Sequence, residues 1–326
     1  MKKKELGFVG SVEQLAYVRS SVLSDGAGRG NRIIDVNTGG GLQFTIHPDR
    51  GMDIVECSFL GINMVYRSGG GTRSRLEYQP LGTEWLRSFQ GGLLTGCGMR
   101  NAGVASGECG VHGRLSNTAA EDVSVSREWE GEQYVIRIRG VLREYRMFGE
   151  DLRLVRNITC IDQSNIITIE DEVENLAGQT DYLQMLYHCN FGYPLISPAV
   201  RLEAPEHTVE ARDADAAAGI AVWNQMPAPV PGAVEQCFYH DFKDTAEMTL
   251  NNSELKIKAT VRCDTAELPR MVQWKLFDHG NYVMGIEPTN TRISGRENEI
   301  AKKIARAIAP GEKIKFRMQI EFASTK

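Results

Sequence analysis

The sequence is short of several things. It holds seven cysteines, an odd number, at positions 57, 97, 109, 160, 189, 237 and 263, and no two form a C-x-x-C pair. Such a pattern argues against a disulfide frame or a zinc site and fits buried thiols in a reducing cytoplasm. There is no sustained basic block, and the net charge is -5. Nucleic-acid binding through a row of phosphate contacts is therefore not expected. No apolar run is long enough to cross a membrane, and the basic start "MKKKELGFVG" has no apolar segment behind it to make a secretory signal. The glycine clusters "GGGLQF" and "GGGT" match neither a Walker loop nor a dinucleotide fingerprint. There is no G-x-S-x-G elbow, and no H-x-H or H-E-x-x-H cluster. No cofactor or metal is expected. Strands do not alternate regularly with helices, which argues against a parallel α/β sheet.

What remains is a chain of 326 residues, 42% hydrophobic and 24% charged, enough to bury a large core as one all-β unit over 1–326. One helix is expected near the start, over about 11–22. Ser11 with Gln14 three residues on fits a capping box, and Leu15, Val18 and Val22 recur at helical spacing. Beyond it, segments such as "GLQFTIHP", "LRLVRNITCI", "NIITIEDEVEN" and "KIKFRMQIEF" alternate with a period of two or are rich in β-branched residues. They predict an antiparallel β-sandwich with a few short helices.

Polar groups stand out against this pattern in four places. In "DYLQMLYHCNFGYP", Leu183, Met185, Tyr187, Cys189 and Phe191 share one strand face suited to a core. The other face carries Gln184, His188 and Asn190 around Leu186, neutral polar groups without Lys or Glu, as on the floor of a polar cleft. In "NYVMGIEP", Glu287 ends a strand with Gly285 two residues before it, leaving open space beside the acid. His112 lies between Gly110 and Gly113, followed by Arg114, and "VQWKLF" offers Trp274 as a flat surface with Lys275 on the opposite side. Each alone also fits a purely structural role. Together, two imidazoles and a carboxylate suit the movement of protons.

At these residues the sequence resembles the galactose mutarotase-like proteins, or aldose 1-epimerases, and most closely a bacterial branch of them. The resemblance spans nearly the whole chain through "HPDRGMDI", "WLRSFQGGLLTGCGMRNAG", "VHGRLSNTAAE", "LYHCNFGYPL", "VEQCFYHDF", "QWKLF" and "YVMGIEPTN". It implies a β-supersandwich with a sugar site on a concave face. His188 in "YHCNF" would be the catalytic acid, charged at rest, and Glu287 in "IEP" the catalytic base. The two would face each other across a sugar-sized hollow. His112 would contact the sugar, together with Asn190, Glu235, Trp274, Lys275 and either Arg87 or Arg50. The departures are Tyr187 where the family has asparagine, Arg114 where it has glycine, and Glu235 where it has aspartate.

The activity implied is interconversion of the α and β anomers of a free sugar, with a small sugar as the partner, in a cytoplasmic monomer or homodimer. A sugar-phosphate epimerase remains open, with Arg87, Arg114 and Lys275 as phosphate ligands. So do a non-catalytic sugar-binding protein, and an isomerase or lyase for an unusual sugar using Tyr187 or Tyr193.

Overall fold

A computed structural model describes residues 3–243 and 245–325. Antiparallel strands dominate, arranged in sheets of eight, six, five and two strands. The eight-stranded sheet is built from the long alternating segments. Asp151–Ile161 pairs with Ile166–Asn175 in the register Ile158↔Ile169, and the latter pairs with Lys313–Ser324. Alternate residues Leu152, Leu154, Ile158 and Cys160 point into the core. Facing them from the six-stranded sheet are Tyr187, Cys189, Phe191, Met284 and Ile286, in the same apolar cluster. The period-two reading is thus realised as two stacked sheets with interdigitated inner faces. Each fully buried aliphatic side chain contributes about 1.5–3 kcal/mol.

One inward position breaks the apolar rule. Arg156 lies between Leu154 and Ile158, with no exposed side-chain surface. Its cross-strand partner in the register is Asp171, also fully buried. The guanidinium donates to both carboxylate oxygens at 2.9 and 2.7 Å and to the Gly51 carbonyl at 2.9 Å. Tyr187 from the opposite sheet donates its hydroxyl to Asp171 at 2.8 Å. A buried charge persists when its hydrogen bonds are complete, and these ties join the two sheets.

The expected helix over 11–22 is not formed. The capping box is real: Ser11 Oγ accepts from the Glu13 amide and Gln14 Oε1 from the Ser11 amide, both at 3.2 Å. It closes only a 3-10 turn, Val12–Gln14. Tyr17–Val22 is a strand, paired from Tyr17↔Asn37 to Val22↔Arg32. Only Val18 of the supposed apolar stripe is buried, while Val22 is 59% exposed. A helix here would have had little to bury. The strand gains a full ladder, and its Tyr and Val residues favour the extended form.

The run "DYLQMLYHCNFGYP" is also divided. Asp181–Leu183 pairs with Arg306–Ile308 in the two-stranded sheet, and Leu186–Gly192 belongs to the six-stranded sheet. Gln184 lies in the break, its Oε1 accepting from the Ala102 amide at 3.1 Å. The split leaves the predicted core face intact. Among the described residues no helix is long and apolar enough to cross a membrane.

Candidate functional site

The six-stranded sheet runs in the order His207–Ala211, Gln236–Phe242, Arg270–Asp278, Asn281–Thr289, Leu186–Gly192, Thr95–Cys97. Its inner face meets the core. Its outer face is the floor of a hollow of about 590 Å³, within the roughly 300–1,000 Å³ range of small-molecule sites. Pairing fixes which side chains meet there. The register Cys189↔Ile286 sets His188 opposite Glu287 on neighbouring strands, with Val272 beside Glu287 and Trp274 beside Gly285.

The result is a direct contact. His188 Nε2 lies 3.2 Å from Glu287 Oε1, both side chains nearly buried. The expectation of two groups on opposite sides of a sugar is therefore corrected, since adjacent strands lie only about 4.8 Å apart and bring the groups together. A bound sugar would lie over both. Gly285 makes this possible. A Cβ there would collide with Glu287 Oε1 and come within 3.1 Å of the Trp274 Cβ. The glycine two residues before the acid thus admits the carboxyl, which folds back over it.

Burial sets the charge of the pair. It pushes the His188 imidazole well below its ordinary value, with His112 adding to the effect and the Asn190 amide opposing it. It pushes the Glu287 carboxyl well above its ordinary value, with Glu235 adding and Arg212 opposing. Both shifts favour an uncharged pair with its mobile proton on Glu287. The expectation that His188 rests charged is reversed, because the low-dielectric floor penalises the ion. His188 Nδ1, Asn190 Oδ1 and Glu287 Oε1 are buried and lack an aligned hydrogen-bond partner among the described residues.

His112 stands over the pair, its ring 5.5 Å from that of His188 and 4.6 Å from that of Trp85. It occupies the left-handed region at φ 58°, where a side chain other than glycine is uncommon. Its amide donates to Gly103 O at 2.9 Å, and its Nδ1 accepts from the Gly103 amide at 3.2 Å. Burial lowers its pKa to about 4, so the ring is neutral. With Nδ1 accepting, the proton is on Nε2.

Trp274 forms another wall, 5.3 Å from the His188 ring and nearly perpendicular to it. Its Nε1 donates to Glu235 Oε2 at 2.9 Å, and Arg212 donates to Glu235 Oε1 at 2.7 Å. Arg212 also donates to Asp213 at 2.7 Å. Glu235 is thus a cleft residue, as expected, whereas sequence reasoning missed Arg212. It sits in "EARDAD", which reads as a solvated charged run, and only the pairing of His207–Ala211 with Gln236–Phe242 brings it to the hollow. Trp85 and Phe89 also line the hollow, unforeseen from sequence. Both lie in the quoted segment "WLRSFQGG", where their spacing about a short helix, Trp85–Ser88, was the available signal.

Four expected contacts are not in the hollow. Arg50 is buried and donates to three backbone carbonyls, Ser116 at 2.9 Å, Arg73 at 2.8 Å and Ser88 at 2.8 Å, so it pins loops together. The Arg87 side chain is 79% exposed, paired with Glu84, and borders a neighbouring hollow. Lys275 projects from the other face of its strand, where its Nζ donates to Val222 O at 3.1 Å, and burial lowers its pKa to about 8. Asn190 shares the His188 side of its strand, but the turn at Gly92 covers it. Its Nδ2 donates to Gly92 O at 3.1 Å and His188 O at 2.8 Å. Tyr187 faces the core and Tyr193 is 71% exposed, so neither phenol adjoins the pair. Among the described residues no group of three or more His, Cys, Asp or Glu side chains could hold a metal ion.

The fold has solved counterparts. A candidate aldose 1-epimerase from Klebsiella pneumoniae superposes with a TM-score of 0.89 over 96% of this chain and 87% of its own, at 25% identity. The galactose 1-epimerase of Lactobacillus acidophilus gives 0.64 over 95% and 100%, at 14% identity. A galactose mutarotase-like protein from Clostridium acetobutylicum gives 0.64 over 95% and 99%, at 13% identity. No curated protein matches the sequence. The chain has the galactose mutarotase-like sandwich fold. A family model matches residues 28–322, nearly the whole length, and the chain therefore belongs to the family described as Domain of unknown function (DUF4432).

Proposed function

We propose that this protein interconverts the α and β anomers of a free sugar, with Glu287 and His188 moving the protons. The observation that carries the reading is their contact at 3.2 Å on the floor of a hollow sized for a small molecule. A cyclic hemiacetal opens when its anomeric hydroxyl loses a proton and its ring oxygen gains one. Both oxygens are bonded to the same carbon, so an acid and a base in contact suit them better than a widely separated pair. Transfer of the mobile proton from Glu287 to His188 arms the pair. The carboxylate then takes the hydroxyl proton and the imidazolium protonates the ring oxygen. Rotation about C1–C2 and reclosure reverse both transfers, so the pair ends as it began.

Each positioned acid or base is worth about 10²–10⁴ in rate. His112, with its proton on Nε2, would donate to a neighbouring sugar oxygen, and Trp274 would pack against the apolar face of the ring. The names of the structural neighbours agree with the reading. A sugar phosphate is disfavoured: Arg212 is the one Lys or Arg among the described residues lining the hollow, and it is held by Glu235 and Asp213. The test is anomer exchange followed by NMR or polarimetry across free aldoses. Glu287→Gln and His188→Asn should each lower the catalysed rate by about 10²–10⁴ with the fold intact. Undiminished rates in both variants would remove the assignment.

A further inference from the structure

The distribution of polar and apolar groups in the hollow bears on which sugar it takes. Its hydrogen-bonding side chains fall into three places. The His188–Glu287 pair lies on the floor, with His112 over it. Glu235 and Arg212 stand at one side, beyond Trp274 and already bonded to each other. Tyr66 and Asn281 stand at another, where the phenol donates to Asn281 Oδ1 at 2.8 Å. The walls between are apolar, formed by Leu86, Phe89, Val104, Val111, Leu276 and Ile293. Apart from His112, the side chains next to the pair are apolar or aromatic. Phe89 is 5.5 Å and Trp274 5.3 Å from the His188 ring, centroid to centroid, and Val272 is the cross-strand neighbour of Glu287.

The chemistry fixes two sugar atoms at the pair, the anomeric oxygen and the ring oxygen. Two further substituents then lie near the floor: the hydroxyl on C2, and the group on C5, which is bonded to the ring oxygen. His112 offers one free N–H to serve one of them. With His112 serving the C2 hydroxyl, a hydroxymethyl group on C5 packed against Phe89 would add a hydroxyl that loses water and gains no hydrogen bond from that wall. A methyl group would fill the same space without that loss.

We propose that the preferred substrate is a 6-deoxy aldose, an inference that rests on the anomer-exchange reading above. An apolar pocket discriminates against an added hydroxyl by up to about a hundredfold. The preference in kcat/KM should therefore be about ten- to hundredfold.

The experiment compares matched sugars of the same hand: fucose with galactose, and rhamnose with mannose. Anomer exchange is measured by magnetisation-transfer NMR for the wild-type protein against the Glu287→Gln protein. Faster catalysed exchange of the 6-deoxy member in at least one pair, by tenfold or more, supports the inference. Catalysed exchange in which neither 6-deoxy sugar exceeds its hydroxylated parent by tenfold overturns it and leaves the anomer-exchange reading standing. Exchange of no sugar above the Glu287→Gln background overturns that reading and this inference with it.

Discussion

Tyr187 and His188 are adjacent in the chain and point to opposite faces of one strand, and each joins a buried polar cluster. The two clusters differ in completeness. On the core side, Arg156, Asp171 and Tyr187 satisfy one another through short, aligned hydrogen bonds. On the cleft side, His188 Nδ1, Asn190 Oδ1 and Glu287 Oε1 lack such partners among the described residues. Buried polar groups are ordinarily hydrogen-bonded, so the exceptions call for an explanation. The complete cluster fastens two sheets together. Of the incomplete one, His188 and Glu287 line the hollow, where a ligand can complete their bonding, and Asn190 lies beneath the turn at Gly92.

Substitutions on the two sides should therefore separate stability from activity. Asp171→Asn breaks a fully buried ion pair and should cost about 3–5 kcal/mol in chemical denaturation. Glu287→Gln removes no completed bond and should change stability by less than about 1 kcal/mol while lowering the rate. Equal destabilisation by both would erase the distinction. Gly285→Ala should come next. Its methyl collides with the Glu287 carboxyl and crowds Trp274, displacing the base and lowering kcat roughly ten- to hundredfold. A wild-type kcat in that variant would show that the carboxyl need not fold back.

The pH profile sharpens the same contrast. The active pair carries one mobile proton. Below the lowered His188 pKa it gains a second proton and activity is lost, so the acid limb should lie below 6.5. Above the raised Glu287 pKa it loses its only one, so the alkaline limb should lie well above 4.5. An acid limb at 6.5 or higher would mean that burial does not govern the pair. The smallest effects concern the arginines. Arg212→Ala leaves Glu235 without its charged donor and should lower kcat/KM by about tenfold. Arg87→Ala should change it by less than about twofold, as surface substitutions commonly do.

Much of this was legible in the sequence. The alternation of Leu183, Met185, Tyr187, Cys189 and Phe191 marked a core face because strand side chains alternate strictly, whatever they pack against. The same rule exposed His188 as an anomaly on the other face. Glu287 with Gly285 was legible for a local reason, since residues two apart on a strand are neighbours. The helix at 11–22 misled because a real capping box was joined to a helical spacing with no apolar surface to bury. The pairing of Tyr17–Val22 with Arg32–Asn37 outweighed it. Arg50 and Lys275 misled because sequence gives a residue type and, at best, a face. Which loops or neighbouring strands cover that face is set elsewhere in the chain.

By itself, the sequence determined the alternation of the long strands, the division of Tyr187 and His188 between two faces, and the presence of one acid and two imidazoles in a neutral setting. Those depend on periodicity and composition, which are local. Only the tertiary structure decided that His188 and Glu287 touch, that burial discharges them, and that Arg212 rather than Arg50 or Arg87 reaches the hollow. Such outcomes depend on strand order, register and desolvation, which come from pairing segments far apart in the chain.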